Sequence, residues 1–171
     1  MNPSTLLNPL FSRGRFTALR LGPGEEVLAR LQRFVHDQGL AAVAVASCVG
    51  SLTTAAIRYA NREDVTLLEG HFEIVSMIGT LEAAPSQEDP QLGGAHVHIA
   101  VSDGEGAMRG GHMMSGCRVY TTLEIVLLVL DDVDFVREPC PKSGYPELVI
   151  RAAARRGQQP AQMNKEGKDE A

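Results

Sequence analysis

An α+β domain, a mainly antiparallel β-sheet with one main amphipathic helix packed on it, is predicted by two features of the sequence. Val27, Leu28, Leu31, Phe34 and Val35 recur at three- and four-residue intervals, the period of a helix that buries one face. From Ala41 onward the chain carries runs rich in valine, isoleucine and threonine, divided by turn residues, which is strand material. One helix and many strands favour a sheet with its helix on one face over an alternating α/β arrangement.

Each element has its own signal. Residues 1–12 hold prolines at 3 and 9, with neither a basic segment nor a sustained apolar run, and are expected to form a flexible N-terminal lead, not a secretory signal. Arg15 to Leu21 alternate as a first strand. Pro23 and Gly24 precede the helix, Glu25 and Glu26 complement its dipole at the first turn, and Gly39 supplies a stop. Strands are expected in AAVAVASCVGSL, TTAAIRYA, VTLLEGHFEIVSMIGTLE, AHVHIAVSD and RVYTTLEIVLLVLDDVDF, with breaks at Gly50, Asn61, Gly70, Gly79 and the loop APSQEDPQLGG. These elements make one domain over residues 13–150. Residues 151–171 lose large apolar side chains and are expected to be a polar, disordered tail.

Composition narrows the function classes. A chain of 171 residues with 44% hydrophobic and 22% charged residues can bury a single core. Its formal net charge of -5 disfavours direct DNA binding. Cys48, Cys117 and Cys140 are odd in number and lack CxxC spacing, so neither a disulfide framework nor a zinc ribbon is expected. The longest apolar run, IVLLVL, is far short of the roughly 20 residues of a membrane helix. A cytoplasmic protein without membrane association is the expectation.

Three of the five histidines lie in GGAHVHIAVSDGEGAMRGGHMM. On a strand, His96 and His98 share one face while Val97, Ile99 and Val101 take the other, the core face. SDGEG reads as a hairpin turn, which would return His112 opposite the first two. An H-x-H pair alone fits two solvated histidines equally well; the third at hairpin distance favours a metal. Three imidazoles with a fourth position open is the arrangement of catalytic zinc, so Zn2+ or another divalent transition metal is the expected cofactor. Gly110 and Gly111, lacking side chains, would let a ligand or another backbone approach closely. Glu124, alone in an apolar strand, would be costly to bury unpaired and is the candidate catalytic or metal-supporting carboxylate. His36 and His71 read as structural, and Cys117, Met113 and Met114 as packing.

RFTALRLGPGEEVLARLQRFVHDQGL, GHFEIVSMIGTL, HVHIAVSDGEGAMRGGHMM and TTLEIVL occur in this order, and together they resemble the PPC (plants and prokaryotes conserved) domain family over about residues 13–138. The resemblance implies an α+β fold, assembly as a homotrimer, and a metal site, usually zinc, at His96, His98 and His112. Plant members are transcriptional regulators that carry Arg-Gly-Arg-Pro hooks; here RGRF, residues 13–16, lacks the proline and any flanking basic cluster. In the family's Gly-Arg-Phe-Glu-Ile-Leu contact motif, Gly70, Phe72, Glu73 and Ile74 match and His71 departs. The fold is similar to those of acetolactate decarboxylase and a zinc-dependent ester hydrolase family, which use three-histidine sites. Two functions follow as expectations. One is a metal-dependent hydrolase or lyase on a small molecule; the alternative is a DNA- or transcription-associated scaffold acting through trimerisation and partner binding.

Overall fold

The computed structural model describes residues 9–85 and 92–153. Its order is β1 (Gly14–Leu21), α1 (Val27–Asp37), β2 (Val43–Arg58), β3 (Thr66–Pro85), β4 (Gly93–Ser102), β5 (Met108–Met113), β6 (Arg118–Leu130), β7 (Val133–Pro139) and β8 (Pro146–Ala152). β1 to β6 form a sheet in the order β1-β6-β2-β3-β4-β5, and β7 and β8 form a separate two-stranded sheet. Every pairing between these strands is antiparallel. The α+β expectation therefore holds.

α1 forms where the periodicity places it. Val27, Leu28, Leu31 and Val35 are buried in the core, and the Glu26 carboxylate caps the first turn by accepting a 2.6 Å hydrogen bond from the Ala29 N–H. Gly39 ends it at φ 60°, a left-handed conformation that costs glycine little. The other Glu26 oxygen accepts from the Gly116 N–H at 2.9 Å, which ties the helix start to the β5–β6 connection. No described helix is long and apolar enough to cross a membrane.

Three expected breaks are not breaks. β2 runs through Gly50, and β3 runs through Gly70 and Gly79. At Gly50 and Gly79 the glycine serves close strand approach: a Cβ at Gly50 would strike the backbone of Thr122 and Leu123, and one at Gly79 that of His96 and Val97. Asn61 does turn the chain, at φ 57°. The single strand expected from Arg118 to Phe135 divides at Asp131–Asp132, where the chain leaves the large sheet for β7. β8 reaches Ala152, two positions past the expected domain end at 150. Residues 1–8 of the expected lead and 154–171 of the expected tail lie outside the described residues, as do residues 86–91 of the expected loop.

The last two residues of β2 also pair with β5, Ile57 with Met113 and Arg58 with His112. This additional pairing closes β2, β3, β4 and β5 into a ring. Alternation then sorts the side chains: Ile57, Val97, Ile99, Val101 and Met113 go into the core, while His96, His98 and His112 face out.

Candidate functional site

The β4–β5 hairpin brings the three histidines together. One Asp103 carboxylate oxygen accepts from the N–H groups of Glu105 (3.0 Å) and Ala107 (2.9 Å), and Gly106 takes the positive φ of 81° that the turn requires. That tight connection sets the register, in which His98 lies directly opposite His112. Ring centroids are 4.4 Å apart for His98 and His112, 5.1 Å for His96 and His112, and 5.2 Å for His96 and His98. One nitrogen from each ring lies within 4.8 Å of the other two. His96 and His98 are exposed and His112 is half-buried, so the cluster is open to solvent on one side.

The surroundings favour the metal-binding form of these rings. His96 is held below the usual imidazole value, first by partial burial, then by the positive charges of Arg137, His98 and Arg58, against an opposing pull from Glu147. His112 is lowered first by burial and then by His98, Arg58 and His96. A neutral imidazole keeps a lone pair free for a cation, so both shifts lessen the proton's competition with a metal.

Beside the histidines is a cleft of about 830 Å³, whose walls include His96, His112, Arg58, Glu82, Arg137 and Glu147. Glu82 is only 1% exposed. It lies opposite Gly94, two pairs along from the Thr80–His96 pair and so on the same face. One carboxylate oxygen accepts from Arg137 Nε at 3.3 Å, the other has no partner among the described residues, and Arg137 Nη2 also donates to Thr80 Oγ1 at 2.9 Å. Burial pushes the Glu82 carboxyl up, and Arg137 pulls against that shift. A Cβ at Gly94 would collide with the Glu82 carboxylate, so the glycine leaves that side chain its place.

Other expected site residues take different places. Glu124 is exposed on β6, opposite Arg20 and Val49. It lies three strands from β4, on the order of 14 Å across the sheet, and the structure does not bring it to the histidines. The burial that made it a candidate does not occur. Gly110 and Gly111 are not among the cleft residues. They allow another backbone to approach, not a ligand: a Cβ at Gly110 would lie 2.7 Å from the Ile99 carbonyl oxygen, and one at Gly111 2.6 Å from that of Arg58. His36 pairs with Asp37 in the last turn of α1, and His71 stacks on Tyr120 at 4.1 Å. Cys117 and Met113 are buried in the core. Arg13 and Arg15 of RGRF form ion pairs with Asp132 (3.0 Å) and Asp131 (2.8 Å).

Sequence reasoning missed Glu82, Arg58, Arg137 and Glu147. The available signal was weak. Glu82 is one of three glutamates on β3, with Glu69 and Glu73, and the sequence does not show that Arg137 of β7 comes to lie over it.

Comparison with known proteins agrees with this architecture. Residues 10–131 match the model of the Plants and Prokaryotes Conserved (PCC, also written PPC) domain. A hypothetical protein of known structure from Salmonella enterica is 48% identical, with a TM-score of 0.78 over 85% of this chain and 99% of that one. A metal-containing protein from Archaeoglobus fulgidus, 22% identical, shares the fold with a TM-score of 0.67 over 84% of this chain and 99% of that one. The bifunctional protein GlmU of Synechococcus sp. (strain JA-3-3Ab) is 41% identical over 140 residues, 82% of this chain. The match spans about a fifth of the length of that curated relative (21%).

Proposed function

The chain belongs to the Plants and Prokaryotes Conserved domain family, and from that premise we propose that it is a homotrimeric metal-dependent hydrolase or lyase acting on a small molecule. His96, His98 and His112 are the metal ligands. The observation that carries this reading is the convergence of three imidazole nitrogens within 4.8 Å, with His96 and His112 in the wall of a cleft. The donor set fits a divalent transition metal, because it is all nitrogen and its surroundings favour neutral rings; zinc suits such a set best. The Archaeoglobus relative, described as metal-containing, supports the same assignment.

A zinc ion bound there supplies a Lewis acid that polarises a carbonyl or activates water. The chain's own groups do the rest. Glu82 lines the cleft with one oxygen free of partners, and its raised proton affinity makes it the proton-handling group in place of Glu124. Arg137 fixes that carboxyl through its 3.3 Å hydrogen bond. Trimer assembly is supported by exposed apolar side chains in the large sheet, among them Phe16 (70%), Val49 (57%), Val75 (52%) and Ile78 (61%), an apolar surface of the kind that self-association covers. Three free cysteines accord with a reducing, cytoplasmic compartment.

Elemental analysis of purified protein, before and after dialysis against zinc, tests the metal assignment. About one equivalent per chain is expected. Less than roughly a tenth of an equivalent, with no uptake, refutes it. Analytical ultracentrifugation tests the assembly: the mass of three chains is expected, and a monomer would refute the trimer.

A further inference from the structure

Arg58 closes a row of paired residues that begins at His98. It is the final residue of β2 and lies opposite His112, just as His98 lies opposite His112 on the other side of β5. His98, His112 and Arg58 therefore stand in one line across three strands, each neighbouring pair with Cβ atoms roughly 4.5–5.5 Å apart. The Arg58 Nε is buried and has no hydrogen-bond partner among the described residues. A buried guanidinium N–H left without an acceptor is expensive, and the described residues do not supply one. Arg137 is engaged by Glu82 and Arg62 by Asp64, whereas Arg58 lines the same space with its Nε donor unspent.

We propose that Arg58 makes this site selective for small molecules that carry an oxyanion, a carboxylate or a phosphate, bound beside the histidine-held metal. This inference rests on the metal reading above. Guanidinium presents its N–H groups as a planar fork that fits two oxygens of a carboxylate or phosphate, and charge-assisted bonds of this kind are the strong ones. In a chain of net charge -5, the cleft itself sets Arg58, Arg62 and Arg137 against Glu63, Glu82 and Glu147, and a metal held by the histidines beside Arg58 tips that balance toward an anion. The ligand's oxygens engage the guanidinium from the cleft side, where Arg58 is among the lining residues.

The test uses full-length protein loaded with cobalt(II), whose visible spectrum reports the metal independently of turnover. Sodium acetate, inorganic phosphate and neutral acetamide are titrated in turn. Acetate or phosphate is expected to perturb the spectrum saturably and acetamide is not; whichever anion binds more tightly identifies the oxyanion. Arg58→Gln is expected to weaken that anion by about tenfold or more while leaving the anion-free cobalt spectrum unchanged. Arg58→Lys, which keeps the charge and stem but loses the fork, serves if the glutamine variant fails to fold by circular dichroism, and is expected to bind several-fold more weakly than the parent. Anion affinities within about twofold of the parent in a folded, cobalt-loaded variant overturn the oxyanion assignment and leave the metal reading intact. A parent indifferent to both anions does the same. Failure of the parent to take up cobalt overturns both.

Discussion

Glu82 and Glu124 are both carboxylates flanked by apolar residues, on the same face of one sheet, yet they end in opposite surroundings. Glu82 on β3 is 1% exposed beneath Arg137 of the β7–β8 hairpin, whereas Glu124 on β6 is solvent-exposed among Arg20 and Val49. What covers the strand decides the difference. The hairpin, residues 133–152, lies beyond the stretch matched by the family model, and it delivers both Arg137 and Glu147 to the histidine end of the sheet. A carboxylate buried under the hairpin loses its water and its pKa rises, while the Arg137 guanidinium pulls it back down; one left uncovered keeps its contact with water.

The comparison is broken most severely by removing a ligand. His98→Ala is expected to lower metal affinity by more than about 100-fold, since loss of supporting contacts alone costs 10–100-fold, while Glu124→Ala leaves affinity unchanged. Competition with a chromophoric chelator measures both. Comparable losses in the two variants would mean that Glu124 reaches the site after all.

Stability separates the two carboxylates next. Glu82→Ala strands the mostly buried Arg137 guanidinium, 17% exposed, and should cost about 2–3 kcal/mol in urea unfolding. Glu124→Ala should stay within about 0.5 kcal/mol. Equal effects would remove the distinction drawn between covered and uncovered ends.

Close strand approach gives a third, smaller contrast. Gly111→Ala puts a Cβ 2.6 Å from the Arg58 carbonyl oxygen and should destabilise the β2–β5 closure by about 1–2 kcal/mol. Gly104→Ala, where nothing lies within 4 Å, should change unfolding by less than about 0.5 kcal/mol. A silent Gly111→Ala would show that the closure tolerates a side chain.

The smallest expected effect is on pH. His96 and His112 have folded-state values below the ordinary 6.5, so the unfolded chain takes up protons first as pH falls. Stability of the metal-free protein present above about 6.5 should therefore be lost progressively as pH drops through the lower folded values. Urea midpoints across this range check the sign. His96→Gln should flatten the curve, and a midpoint that rises on acidification would contradict the assignment.

Much of this architecture was legible in the sequence because it is local. The stripe Val27–Val35 fixed a helix, and Asp103 with Gly106 fixed a turn that placed His112 opposite His98. Less legible were features that depend on what lies alongside. Gly50 and Gly79 look like breaks until the neighbouring strand shows that they are points of close approach. Gly110 and Gly111 are of the same kind. Glu82, Arg58 and Arg137 come from strands far apart in sequence, so pairing register and the β7 hairpin, not periodicity, bring them to the cleft.

The central claim is that His96, His98 and His112 hold one metal ion. Anomalous diffraction at the zinc absorption edge, from crystals grown with zinc, tests it most directly. The account predicts one strong peak bonded to a ring nitrogen of each of the three histidines. Zinc bound elsewhere, with no peak among them, would contradict it.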